Sequence, residues 1–230
     1  MSAKLLIPVF LLFLLSACGS GEPSEQKPAA STAPQIGPAA TEKASTQNIL
    51  FFGNSLTAAY GLEPSEGFVG LIQERLDTLK LPFKAINAGL SGETTAGGLT
   101  RIDWILERQT IDIFVLELGG NDGLRGIDPA ASAENLQGII DKVKAKYPEV
   151  KIIIAGMEAP PNMGQQFTEN FRGIFPRLAE ANASLLIPFL LEGVGGIPEL
   201  NQADGIHPTK EGHRILAENI WKVLRGLVKK

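Results

Sequence analysis

A single cysteine, Cys18, and two histidines, His207 and His213, are all that the 230 residues offer a disulfide or a soft metal. One cysteine excludes an intrachain disulfide and any cysteine-based metal site within one chain. Two histidines without an HExxH motif leave no recognisable catalytic zinc set. Basic runs are missing as well, apart from Lys229-Lys230, and the formal net charge is −4, so nothing marks a nucleic-acid surface. No GxGxxG follows the first strand-like run and no GK[ST] closes a phosphate loop, which removes the common dinucleotide and nucleotide cradles. A GxSxG elbow is also lacking, which argues against the α/β-hydrolase serine site.

Residues 1–17 read as a signal peptide: Lys4 supplies the positive start, and the apolar run 5–15, interrupted by Pro8, is too short to span a bilayer. Leu15-Ser16-Ala17-Cys18 resembles a bacterial lipobox, which implies that Cys18 is acylated, with palmitate-type chains, and becomes the new N-terminus. Gly19 and Ser20 after it, rather than aspartate, favour outer-membrane sorting. Residues 18–47 are rich in Ala, Pro, Ser, Thr and Glu, with Ile36 as the one large apolar residue. Such a stretch cannot bury enough surface to order itself and is expected to be a disordered tether, averaging roughly 30 Å end to end. The third part, residues 48–230, suits one hydrophobic core and a monomer. Loss of Lys4 with the leader moves the charge balance from −4 to −5.

Within residues 48–230, apolar strand-like runs at 49–52, 83–87, 111–118, 150–155 and 184–188 alternate with helix-like stretches. The first of these begins near Ser65 with Phe68, Val69, Leu71, Ile72, Leu76 and Leu79 on one broad face. The others cover about 95–108, 129–146, 167–181 and 210–228. Asp128 suits a cap and Pro129 the first helical turn. The strands are nearly continuous apolar runs, as expected of strands buried on both faces. Alternation of this kind predicts a doubly wound α/β fold with a parallel sheet. Ligands bind at the carboxyl edge of such sheets. The loops there are Gly53-Asn54-Ser55, residues 88–94 and residues 119–123, all glycine-rich and polar. Asp204-Gly205-Ile206-His207-Pro208 precedes the last helix.

These loops leave a serine, a histidine and a carboxylate as the available chemistry. A serine needs a base to become a nucleophile, and the base needs a carboxylate to fix its tautomer. His207 is the better base, because a tight turn can bring Asp204, three residues earlier, to Nδ1 and leave Nε2 free. His213 falls within the last helix and is expected to face solvent. Ser55 follows the first strand. Ser91 is a rival nucleophile in a loop better suited to donating amides, and Thr57 can begin a helix.

In order, GNSLT (residues 53–57), SGETT (91–95), GGND (119–122) and DGIHP (204–208) resemble the four sequence blocks of the SGNH, or GDSL, hydrolases. GGNDGLRG is particularly similar to the bacterial thioesterase, lysophospholipase and arylesterase branch. The resemblance runs from about residue 48 to the C-terminus. It implies a flavodoxin-like three-layer α/β/α sandwich with a five-stranded parallel sheet. It further implies Ser55 as nucleophile, His207 as base, Asp204 as its orienting partner, and an oxyanion hole of the Ser55 amide, the Gly92 amide and the Asn121 side chain. In a 2-1-3-4-5 sheet those three donors follow adjacent strand ends. The implied activity is cofactor-free, metal-free hydrolysis of aryl esters, acyl thioesters or lysophospholipids, on a lipid-anchored protein at the periplasmic or outer-membrane face of a bacterial envelope. Two alternatives are a carbohydrate O-acetylesterase and a non-catalytic lipoprotein that binds ligands in the same pocket. One departure stands out: the family motif has aspartate where this chain has Asn54. Asn can accept similar hydrogen bonds through its amide oxygen but lacks the charge, so activity is expected to survive.

Overall fold

The computed structural model describes residues 46–229. The expected signal peptide, Cys18 and the expected tether lie outside the described residues. Among the described residues no helix is long and apolar enough to cross a membrane.

Among the described residues five strands, β1 (Gln47–Gly53), β2 (Phe83–Gly89), β3 (Ile113–Glu117), β4 (Lys151–Ala155) and β5 (Leu185–Ile187), form one parallel sheet in the order β2-β1-β3-β4-β5. This is the expected order, and β3 is buried along its whole length. The chain reverses direction across the sheet between β1 and β3, so the crevice for a ligand opens above those two strands. Their ends are level: Gly53 pairs with Gly89 on one side and Glu117 on the other.

Eight α-helices among the described residues cover the sheet or line its edge: α1 (Ser55–Ala58), α2 (Phe68–Thr78), α3 (Thr95–Leu106), α4 (Gly120–Arg125), α5 (Pro129–Lys146), α6 (Gln165–Arg172), α7 (Ile174–Ala181) and α8 (Lys210–Leu224). On one face α2 packs against α8, and on the other α5 packs against α3 and α7. The core between them includes Phe51, Phe52, Phe68, Phe114, Phe171 and Phe175, each essentially inaccessible to water. Asp128 caps α5 as expected, its side chain accepting from Ala130 N at 3.0 Å, with Pro129 in the first turn.

Three helical expectations need correction. The stretch 167–181 is two helices, because Pro176 has no N–H to give the Arg172 carbonyl and its ring crowds that carbonyl; the break falls at Gly173. The last helix stops at Leu224, with Gly226 two residues on. The third loop is partly helical, placing Asn121 and Asp122 in the first turn of α4 after Gly119, whose φ of +116° suits only glycine.

Candidate active site

β1 delivers the chain to its carboxyl edge and α1 begins two residues later. Gly53 at the junction is required for space: a Cβ there would collide with Thr57 Oγ1 and with the Glu117 carboxylate. Asn54 caps α1, its Oδ1 accepting from Leu56 N at 3.0 Å. Ser55 is thereby held at the helix start, 9% exposed, with Oγ 3.3 Å from Asn54 Oδ1.

The loop before α8 supplies the partner. Gly205 has φ +71°, and the tight turn it permits lets Asp204 Oδ1 accept from Ile206 N at 2.9 Å and His207 N at 3.0 Å. Asp204 Oδ2 lies 2.7 Å from His207 Nδ1. Hydrogen bonds from the His207 backbone and ring, then from the Ile206 amide, hold the Asp204 carboxyl far below the usual carboxylate range. An ionised Asp204 keeps the proton of neutral His207 on Nδ1, so Nε2 presents a lone pair. That Nε2 is 2.9 Å from Ser55 Oγ. The structure thus brings Ser55, His207 and Asp204 into one hydrogen-bonded line.

Further contacts fix this line. Tyr60 lies with its ring centroid 4.5 Å from that of His207. Gln202 Nε2 donates to Tyr60 O at 2.8 Å and to Pro208 O at 3.1 Å, tying the His207 loop to the segment that follows α1.

The oxyanion candidates sit on the adjacent loops. Asn121 Nδ2 donates to Glu93 O at 3.0 Å, which fixes its amide plane and leaves the second N–H available. Glu93 is itself clamped, with Arg101 Nε donating to Oε1 at 2.7 Å and Arg101 stacked 4.2 Å over Phe52. Among the described residues the N–H groups of Ser55 and Gly92 donate to no other group. Gly92 has φ +80° and is exposed. Ser55, Asn121 and His207 line one cavity of about 590 Å³, with Leu56, Leu124, Met157, Ala159, Pro160 and Ile206 as its apolar wall. Gly92 is not on that wall.

His213 departs from expectation. It is 1% exposed, because it shares the inward stripe of α8 with Leu216, Ala217 and Ile220. Its Nδ1 accepts from Phe68 N at 3.2 Å, and burial, reinforced by the charge of His207, pushes its pKa down to about 4. Ser91 is exposed and hydrogen-bonds to neither histidine. Thr57 lies inside α1.

Two carboxylates at the site are absent from the sequence-based expectations. Asp122 is fully buried and ties α4 to α3 and α5, accepting from Thr95 N at 3.0 Å and from Ser132 Oγ at 3.2 Å. Glu117, 1% exposed, ends β3 beneath the turn that carries Ser55. The available signal is an acidic residue closing an otherwise apolar strand just ahead of Gly119-Gly120.

Residues 51–215 match the GDSL-like Lipase/Acylhydrolase family. The chain is 40% identical over 188 residues to the esterase TesA of Pseudomonas aeruginosa, across 82% of this chain and 92% of that protein. It is 33% identical over 185 residues to thioesterase 1/protease 1/lysophospholipase L1 of Escherichia coli strain K12, across 80% of this chain and 86% of the relative. A crystal structure of TesA is similar with a TM-score of 0.75 and 41% identity, over 79% of this chain and 99% of that one.

Proposed function

The chain belongs to the GDSL-like lipase/acylhydrolase family and is an ester-hydrolysing enzyme, and from that premise we propose that it is a serine esterase with Ser55 as nucleophile, His207 as general base and Asp204 as the group that orients the base. The observation that carries this is the 2.9 Å contact between Ser55 Oγ and His207 Nε2, with Asp204 Oδ2 at 2.7 Å on the far ring nitrogen.

The chemistry follows from that line. His207 Nε2 takes the Ser55 proton as Oγ attacks the acyl carbonyl carbon. Asp204 stays ionised and stabilises the imidazolium. The carbonyl oxygen gains negative charge and receives hydrogen bonds from Asn121 Nδ2 and the Ser55 N–H, which line the cavity, and from the Gly92 N–H that the family pattern implies as the third donor, each worth ~3 kcal/mol in acyl-transfer sites. The imidazolium returns its proton to the departing alcohol or thiol. Water, deprotonated by the same Nε2, then attacks the acyl-Ser55 carbonyl, and the imidazolium returns the proton to the departing Ser55 Oγ as the acid is freed.

The cavity wall bears on the substrate. Its Leu56, Leu124, Met157, Ala159, Pro160 and Ile206 suit an acyl chain, and about 590 Å³ is room for a drug-sized ligand. Apolar side chains outnumber Glu158 and Asn201 on that lining, which favours medium-chain esters, acyl thioesters and lysophospholipids over acetylated carbohydrate. The names of the relatives, esterase and thioesterase/lysophospholipase, point the same way. Relative kcat/KM for p-nitrophenyl acetate through decanoate, lysophosphatidylcholine and acetylated xylan tests this. Preference for chains longer than acetyl is expected, whereas turnover confined to acetyl groups would favour the O-acetylesterase alternative.

A lipid anchor on Cys18, holding a monomer in the bacterial envelope, belongs to the same proposal and is supported by the Leu15-Ser16-Ala17-Cys18 run. Labelled palmitate should enter the wild-type chain in a bacterial host and not Cys18→Ser. Equal labelling would refute the anchor.

A further inference from the structure

Beneath Ser55 lies a buried carboxylate that the ester chemistry does not touch. Glu117 Oε2 accepts from Thr57 Oγ1 at 2.7 Å, Asn54 N at 3.1 Å and Thr57 N at 3.3 Å. Its other oxygen, Oε1, accepts from Asn54 Nδ2 at 2.8 Å. All four donors belong to the nucleophile turn, and none carries a charge. A carboxylate that receives the N–H groups at the start of a helix holds that helix start in place.

Asn54 faces two ways. Its Oδ1 accepts from Leu56 N, while its Nδ2 donates to Glu117. The amide therefore cannot flip without losing the cap and opposing oxygen to oxygen. An aspartate here, the residue of the family motif, would put a second carboxylate against Glu117 Oε1. Two carboxylates in a buried contact cannot both ionise without strong repulsion, so they share a proton.

We propose that Glu117 is a positioning residue for Ser55, and that the amide of Asn54 is what allows Glu117 to be an anion without disturbing the turn, so that the nucleophile keeps its place at alkaline pH. The inference rests on Ser55 being the nucleophile. Burial raises the Glu117 pKa from the usual carboxylate value to about 7, against the lowering effect of the four hydrogen bonds, so its charge state changes within the working range of a histidine base. The other titratable groups facing this turn are His207 and, behind it, Asp204, reached through Ser55 Oγ. They are the same in every variant below.

The atoms predict an exchange. In Glu117→Gln the new amide oxygen must occupy the Oε2 position to keep three donors, which turns the new amide nitrogen against Asn54 Nδ2, donor to donor. In Asn54→Asp the two carboxyls need a proton between them. In the double variant, Asn54→Asp with Glu117→Gln, the introduced amide nitrogen donates to one oxygen of the introduced carboxylate. The other oxygen of that carboxylate keeps the Leu56 cap, and the pair is complementary again with its chemistry reversed.

The test is kcat/KM on p-nitrophenyl butyrate from pH 6 to 9.5 for the wild type, both single variants and the double. Asn54→Asp is expected to be near wild type at pH 6 and to fall about tenfold or more below it at pH 9, as a coupled carboxyl pair loses its shared proton. Glu117→Gln is expected to be weakened at every pH. The double variant is expected to regain the alkaline activity to within about threefold of wild type, which two side chains acting independently would not produce. An Asn54→Asp profile parallel to wild type, or a double variant no better than the singles, overturns the proposal. Melting temperature supplies a readout independent of turnover. Because the folded pKa of Glu117 is raised, stability is full below about pH 4.5 and lost as pH rises to about 7, so the wild type should lose melting temperature relative to Glu117→Gln across that window. A pH-independent difference also overturns it. An inactive wild type would instead remove the serine-esterase reading on which the inference rests.

Discussion

His213 Nδ1 accepts the backbone N–H of Phe68 at 3.2 Å, so the second histidine caps the start of α2 from across the helix pair. Gly67, the residue before that helix, has no side chain to do so. His213→Ala should leave a buried N–H unpaired and a cavity against Phe68, costing about 2–4 kcal/mol of stability. Urea unfolding at pH 7.5 measures this, while the folded variant keeps its esterase activity.

Burial of the same side chain gives the protein an acid limb. The folded pKa of His213 is about 4 against 6.5 for a free histidine, so the unfolded chain binds its proton first as pH falls. Stability is lost between about pH 6.5 and pH 4 on this account. In His213→Gln that contribution should vanish, seen as a flatter dependence of unfolding free energy on pH over this interval. An unchanged slope would mean that His213 is not buried neutral.

Much of the fold and site is legible in the sequence because it depends on local or periodic signals. The parallel sheet follows from unbroken apolar runs such as Phe114-Val115-Leu116, and the start of α5 from Asp128-Pro129. Ser55, Asn121 and His207 can be found because each follows shortly after a strand or precedes a helix, on one edge of the sheet. What stays hidden depends on partners far away in the chain. Nothing next to Glu117 says that its acceptors will meet Asn54 and Thr57, 63 and 60 residues away. His213 defies expectation for a narrower reason: its spacing to Leu216, Ala217 and Ile220 marks the inner stripe, while its polarity suggests solvent, and the periodicity prevails. Pro176 stands in plain view and divides the stretch 167–181.

Asn121 donates to Glu93 O with one amide hydrogen and is free with the other. Asn121→Ala should therefore remove one oxyanion donor and leave the nucleophile intact, lowering kcat by about 10²–10³ with little change in KM. Steady-state kinetics on a soluble aryl ester decide this. An effect on KM alone would place Asn121 in ground-state binding.

Gln202 joins the base loop to the nucleophile side through Tyr60 O and Pro208 O. Gln202→Ala should loosen the approach of His207 to Ser55 and reduce kcat roughly tenfold, a misplacement effect. Labelling of Ser55 by a fluorophosphonate should slow in proportion. Full-speed labelling with reduced turnover would assign Gln202 to product release.

Ser55, His207 and Asp204 should act as a unit, so that Ser55→Ala or His207→Ala alone removes nearly all hydrolysis and adding Asp204→Ala to either costs little more. The most direct measurement is peptide mass mapping of the enzyme inactivated by a fluorophosphonate, with residual activity followed in parallel. One adduct on Ser55, formed in step with loss of activity and absent from Ser55→Ala, is the expected result. An adduct on Ser91, or full hydrolysis by Ser55→Ala, would contradict the account.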